Sequence, residues 1–162
     1  MSRKSDPSRD LDAFDRAILR IVQRDNKTPQ REIAAAVNLS TAAVQRRIAA
    51  METAGIIARN VAMVDPLAIG LTITAIVEVY LRDERSTTVD AAKAIFRAAP
   101  EVQQCYYTTG GTSFVLVVVT KTMQTYEAFI RQRFEENETV KSFRTLVVID
   151  RVKTQTELAI DD

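Results

Sequence analysis

Residues 28–51 read TPQREIAAAVNLSTAAVQRRIAAM. Thr28-Pro29 predicts a helix start, with a capping oxygen followed by a proline where its missing N–H is harmless. Ile33, Ala34 and Val37 then recur at helical spacing on one face. Asn38-Leu39-Ser40 predicts a tight break. Asn tolerates the left-handed conformation, Leu39 plugs the angle, and Ser40 caps the next helix. Val44, Ile48 and Met51 continue an apolar stripe, while Thr41, Gln45 and Arg46 lie opposite, with Arg47 on the flank. Two short helices crossing at small residues, the outer one polar on its free face, suit docking in a DNA major groove. The same hairpin is also an ordinary packing unit, and Arg46-Arg47 taken alone is an ordinary solvated pair.

Upstream, Leu11, Phe14, Ile18 and Val22 share one helical face, with Leu19 beside them. Asp12 is placed to cap that helix and Asp15 to add favourable charge to its first turn. Gly55 is placed to end the third helix. Residues 11–56 thus read as a three-helix, winged-type helix-turn-helix domain. Residues 1–10 are polar and charged and read as a disordered tail. Residues 57–70 read as a linker: a loosely alternating strand to Val64, then a hinge from Asp65-Pro66 to Gly70.

Beyond residue 70 the pattern changes. Leu71–Leu81 is apolar and β-branched, a strand. Val89–Ala99 is helical and stops at Pro100. Val102–Thr109 and Ser113–Thr120 read as strands joined by a Gly110-Gly111 hairpin turn. Met123–Phe134 reads as an amphipathic helix and Val140–Val152 as a long last strand. The order over residues 71–155 is βαββαβ, the ferredoxin-like split βαβ, so the chain is expected to be α+β. Two helices cover one sheet face, and the apolar content of the other calls for a second chain.

Composition narrows the function. The 162 residues include no histidine, which removes histidine-based catalysis, ligation and pH switching. The single cysteine, Cys105, forms no internal disulfide and reads as a buried small apolar residue. Tyr106 and Tyr107 follow it in the same strand, pointing to alternate faces rather than forming a cluster. Neither a phosphate loop, paired metal ligands nor a nucleophile–base pair is legible, so an enzyme is not expected and neither is a metal or cofactor. No apolar run reaches membrane-spanning length and no signal-like stretch opens the chain, so a cytoplasmic protein without a membrane partner is expected. The net charge of +1 conceals a division. Residues 1–64 carry 11 Lys/Arg against 7 Asp/Glu, and residues 65–162 carry 11 against 14. The basic half is the one suited to phosphate, and several copies on one DNA would add to affinity.

Six stretches, LDAFDRAIL, LSTAAVQRRI, METAGII, VDPLAIG, PEVQQCYYTTG and VKSFRTLVVIDRVK, occur in this order. With them the chain resembles, over nearly its full length, the Lrp/AsnC family of bacterial and archaeal transcription regulators. The resemblance implies an N-terminal helix-turn-helix and a C-terminal effector and assembly domain. It also implies homodimers that often assemble into octamers, and an amino-acid effector bound where dimers meet.

The resemblance places the recognition helix at Thr41–Thr53. Ser40, Thr41 and Ala42 would face base edges in double-stranded DNA, with Gln45 and Arg46 one turn on. Arg suits guanine and Gln adenine. Arg47 stands where the family usually has Arg; it either clamps phosphate or pairs with a carboxylate such as Asp15. The family typically reads T-G-x-x-D and an aromatic between its second and third effector-domain strands. Here Thr109-Gly110-Gly111-Thr112-Ser113-Phe114 puts Ser113 in the aspartate's place. Gly110, Gly111, Thr112, Ser113 and, on the last strand, Thr145 are the candidate effector contacts, although Gly110-Gly111 is equally readable as a bare turn. Two functions follow: a DNA-binding regulator gated by a small molecule, or an architectural DNA-binding protein without an effector.

Overall fold

The computed structural model describes residues 10–161, and the expected N-terminal tail falls almost entirely outside them. Two compact units form: among the described residues, 10–63 with 153–161, and 64–152.

In the first unit, α1 (Ala13–Val22), α2 (Gln30–Val37) and α3 (Thr41–Thr53) close around Ile18, Ile33, Val44 and Met51. Asp12 caps α1, its carboxylate accepting from the Asp15 N–H at 2.8 Å. Asn38 adopts the left-handed conformation, φ 55°, and lets the chain turn between α2 and α3. Ser40 caps α3, accepting from the Ala43 N–H at 3.2 Å. Gly55, φ +74°, follows the end of α3.

Two expectations for this unit need correction. Thr28 does not cap α2: its hydroxyl donates to the Asp25 carbonyl at 2.8 Å, within a turn that Asp25 also closes on the Lys27 N–H. The cap position is Pro29 instead. Residues 56–64 form no strand. A strand needs a hydrogen-bonded neighbour, and this run finds none within the chain, so the wing has no strand among the described residues.

The last residues of the chain also belong to this unit. The Gln23 amide both donates to the Leu158 carbonyl and accepts from its N–H, at 2.9 and 3.0 Å. Arg20 holds the Ile160 carbonyl and Arg24 pairs with Glu157 at 2.7 Å. Ile160 packs against the helical core. No sequence pattern marked this arm, because its anchoring is largely backbone to side chain.

The second unit is a four-stranded antiparallel sheet in the order β2-β3-β1-β4. Its elements are β1 (Ile73–Leu81), α4 (Ser86–Ala98), β2 (Val102–Tyr107), β3 (Phe114–Thr120), α5 (Met123–Ile130) and β4 (Val140–Val147). Ala75, Val77, Val79 and Leu81 alternate toward one face, and Val89, Ala92 and Phe96 of α4 and Tyr126 and Phe129 of α5 cover them. Phe96 meets Phe114 and Phe134 edge-on, with ring centroids 5.3 and 5.7 Å apart. The last strand is shorter than expected. Val148 donates its N–H to Thr74, and β1 offers no further ladder beyond that point. The second helix is α-helical only to Ile130, then widens into a π turn, Arg131–Glu135, that still buries Phe134.

Candidate nucleic-acid interface and effector loop

Helix α3, the candidate recognition helix, separates its polar side chains into two kinds. Val44 and Met51 are fully buried, which fixes the helix rotation. Thr41, Ala42, Gln45 and Arg46 are consequently exposed, as is the Ser40 cap. Gln45 and Arg46 form no side-chain hydrogen bond or ion pair with the described residues. Both remain available to an external partner, and Arg46 presents a forked donor suited to a guanine edge or a phosphate.

Arg47 is different. Its Nη1 donates to Asp12 Oδ2 and Asp15 Oδ1, both at 2.8 Å, and its guanidinium lies 5.5 Å from the Phe14 ring centroid. Asp15 is buried at 2% exposure. The hydrogen bonds to Asp15 and Asp12 raise the Arg47 pKa further. Asp12 is held below its ordinary value, first by the Asp15 backbone N–H and then by Arg47. Of the two readings the sequence left open for Arg47, the carboxylate pairing is the one formed. It locks α3 against α1.

The candidate effector loop lies between β2 and β3. Gly110 and Gly111 both have positive φ, +99° and +104°. Only glycine adopts this pair of conformations cheaply, so the hairpin turn is formed as expected. The Thr108 N–H bonds to the Ser113 carbonyl and its hydroxyl to the Thr112 carbonyl, closing the loop at 3.0 and 2.6 Å.

The candidate hydroxyls part company. Ser113 is buried; its Oγ accepts from the Leu81 N–H at 3.0 Å and donates to Glu84 Oε1. Thr145 shares a 2.6 Å hydrogen bond with the Tyr126 hydroxyl under α5. It pairs with Val77, roughly 10 Å along the strand direction from the hairpin end of β1. The structure therefore gathers Gly110, Gly111, Thr112 and Ser113 but leaves Thr145 apart, with its hydroxyl turned to the core.

Sequence reasoning missed Glu84. It is exposed in the β1–α4 loop, and its second oxygen accepts from Tyr107 Oη at 2.9 Å. That contact raises the Tyr107 pKa, since a nearby carboxylate disfavours phenolate. A carboxylate thus stands beside Ser113 although none occupies position 113. The two positions are 29 residues apart, and no local pattern joins them.

Cys105 is also corrected. It is exposed rather than buried, because β2 is an edge strand whose residues beyond Val102 are exposed. Among the described residues, no group of three or more metal-ligating side chains occurs and no helix is long and apolar enough to cross a membrane.

Both halves match known families. An AsnC-type helix-turn-helix domain matches residues 11–52, and an Lrp/AsnC ligand binding domain matches residues 74–158. An uncharacterized HTH-type transcriptional regulator of Sinorhizobium fredii is 41% identical over 96% of this chain and 92% of its own length. The crystal structure of an AsnC family transcriptional regulator from Agrobacterium tumefaciens is similar with a TM-score of 0.86 and 30% identity, over 92% of this chain and 97% of that one. A Neisseria meningitidis transcriptional regulator in complex with L-Met is similar with a TM-score of 0.89 and 26% identity, over 94% and 98%. An exposed recognition helix joined to a split βαβ domain, with both halves matched in order, settles the kinship: the chain belongs to the Lrp/AsnC family of transcription regulators, which are not enzymes.

Proposed function

We propose that this protein is a sequence-specific DNA-binding regulator whose assembly or DNA affinity responds to an amino acid. The observation that carries the DNA half is the pair Gln45 and Arg46, exposed on α3 and uncommitted within the described chain. In this reading Ser40, Thr41 and Ala42 at the start of α3 approach the base edges, and Gln45 and Arg46 read them. Arg47 is a positioning residue: it holds the angle of α3 through Asp12 and Asp15.

The effector half rests on the hairpin. Gly110, Gly111 and Thr112 offer backbone and hydroxyl groups, Ser113 fixes Glu84, and Glu84 offers an anionic oxygen to an α-ammonium group. The amino acid of the Neisseria relative, L-Met, supports this ligand class. Thr145 acts as a core contact in this reading rather than as a ligand group.

Assembly starts from the open sheet face. Ile76, Val115 and Val117 lie there half-buried and Leu146 exposed, with Arg144 clamped on Glu78 by two bonds of 2.8 Å. An apolar band of this kind suits a second copy, giving a homodimer, and dimers then join into octamers in the cytoplasm at the nucleoid. The alternative function, an effector-independent architectural protein, uses the same head without the loop.

The test is thermal unfolding and DNA binding of the full chain against a panel of common amino acids. An effector at a hundredfold its Kd adds about 2.7 kcal/mol of stability. A shift with one or a few amino acids, accompanied by a change in DNA affinity, is expected. DNA binding that no amino acid alters, with no thermal shift, would favour the architectural function.

A further inference from the structure

The C-terminal arm docks on the last turn of α1 mainly through its main chain. Gln23 ends the helix, and its side-chain amide matches both the N–H and the carbonyl of Leu158, at 3.0 and 2.9 Å. Arg20 donates to the carbonyls of Ile160 and Asp161 at 3.0 and 3.1 Å, and Arg24 pairs with Glu157. Positions 20, 23 and 24 share one helical face, so three neighbouring side chains grip residues 157–161. Ile160 packs half-buried against the helical core, whereas residues 152–159 are exposed. Most bonds of this dock therefore compete with water, and an exposed ion pair such as Arg24–Glu157 holds weakly. Docking of the arm thus lies at the low-stability end of the fold, open to local release while the three-helix core stays closed.

We propose that this arm is a releasable strap that fixes the reach of the helix-turn-helix head. Residues 64–72 join the head forward to β1, and residues 148–157 run back from β4 to the dock without helix or strand. A docked arm closes a second path between head and sheet. The extended chain from Val147 to Leu158 spans at most about 40 Å, and two attachment points remove the free rotation that a single linker allows. With the arm released, only the forward linker limits the head. The dock also sits on the helix that orients α3. Asp12 at the cap of α1 and Asp15 in its first turn hold Arg47, and Arg20, Gln23 and Arg24 at its other end hold the arm. The strap therefore acts on α3 through one rigid helix. In a protein with two heads, a docked strap restricts the half-site separations that both heads reach together, and release widens them. This consequence rests on the DNA-binding reading proposed above; the strap itself does not.

The experiment uses the full chain and two single variants that undo the dock from opposite sides, Gln23→Ala on α1 and Ile160→Ala on the arm. Cleavage after Glu157 by glutamyl endopeptidase, followed by mass spectrometry, reports release. Both variants are expected to be cut there about tenfold faster than the parent, with cutting after the other glutamates unchanged. Selection from random double-stranded DNA reports reach. The parent is expected to enrich paired half-sites at one separation, and both variants the same half-sites at several. Unchanged cutting after Glu157 in either variant would overturn the strap. Faster cutting with the single separation retained would overturn it too, since the arm would then come free without altering the reach of the head. A parent that enriches no sequence would instead overturn the DNA-binding reading and the consequence drawn from it, while the cleavage rates still decide whether the dock holds the arm.

Discussion

Helix α3, the candidate recognition helix, and the β2–β3 hairpin, the candidate effector loop, treat their polar side chains in opposite ways. On α3, Gln45 and Arg46 are exposed and uncommitted within the described chain, while their neighbour Arg47 is fully engaged. At the hairpin, Ser113 and Thr108 are tied into the fold, and the carboxylate comes from Glu84 on another loop. A surface that reads a large rigid partner needs its own stiffness only beneath the contact. A small-ligand loop must be shaped first, so much of its hydrogen bonding goes into shaping itself.

The largest expected effect tests the engaged residue. Arg47→Ala removes the Arg47 guanidinium from the buried Asp15 carboxylate and should lower stability by about 2–3 kcal/mol. Chemical denaturation measures this; a loss within experimental error would mean that the clamp does not hold α3. Ser113→Ala comes next. It strips the acceptor from the buried Leu81 N–H and should cost about 1–2 kcal/mol. If Ser113→Ala melts like the parent, the hairpin is not organised through this hydroxyl.

Acid separates the regions more gently. Asp12 has a folded pKa below its ordinary 3.8, so it contributes stability above that value and loses it as pH falls through the lower folded one. Glu78, lowered by Arg144, acts with the same sign from its ordinary 4.5. Unfolding midpoints should therefore fall as pH drops below about 4, and Asp12→Asn should flatten part of that decline. An acid profile identical in Asp12→Asn would remove the Asp12 contribution. The smallest effect belongs to the free residue: Arg46→Ala should change stability by less than about 0.5 kcal/mol. A larger loss would show that Arg46 is held within the fold after all.

Local chemistry made most of the fold legible. Asp12 and Ser40 signal a helix boundary through a capping side chain, and Asn38 and Gly55 through the left-handed conformation they tolerate. The alternation in β1 and the Gly110-Gly111 pair likewise exposed the sheet and its hairpin. The features missed are non-local. Residues 56–64 have the alternation of a strand but lack a strand partner among the described residues. Cys105 follows an apolar pattern yet sits on an edge that α4 leaves open. Thr28 loses its cap role to a turn fixed by Asp25. Glu84 and the C-terminal arm meet their hydrogen-bond partners across 29 and more than 130 residues, beyond the reach of any periodicity.

The most direct test of the account is selection from random double-stranded DNA with the parent protein and with the Gln45→Ala/Arg46→Ala double variant, whose melting is checked in parallel. The parent should enrich a roughly palindromic sequence, and the folded variant should lose base preference at the positions facing α3. Enrichment of the same sequence by both proteins would contradict readout through α3.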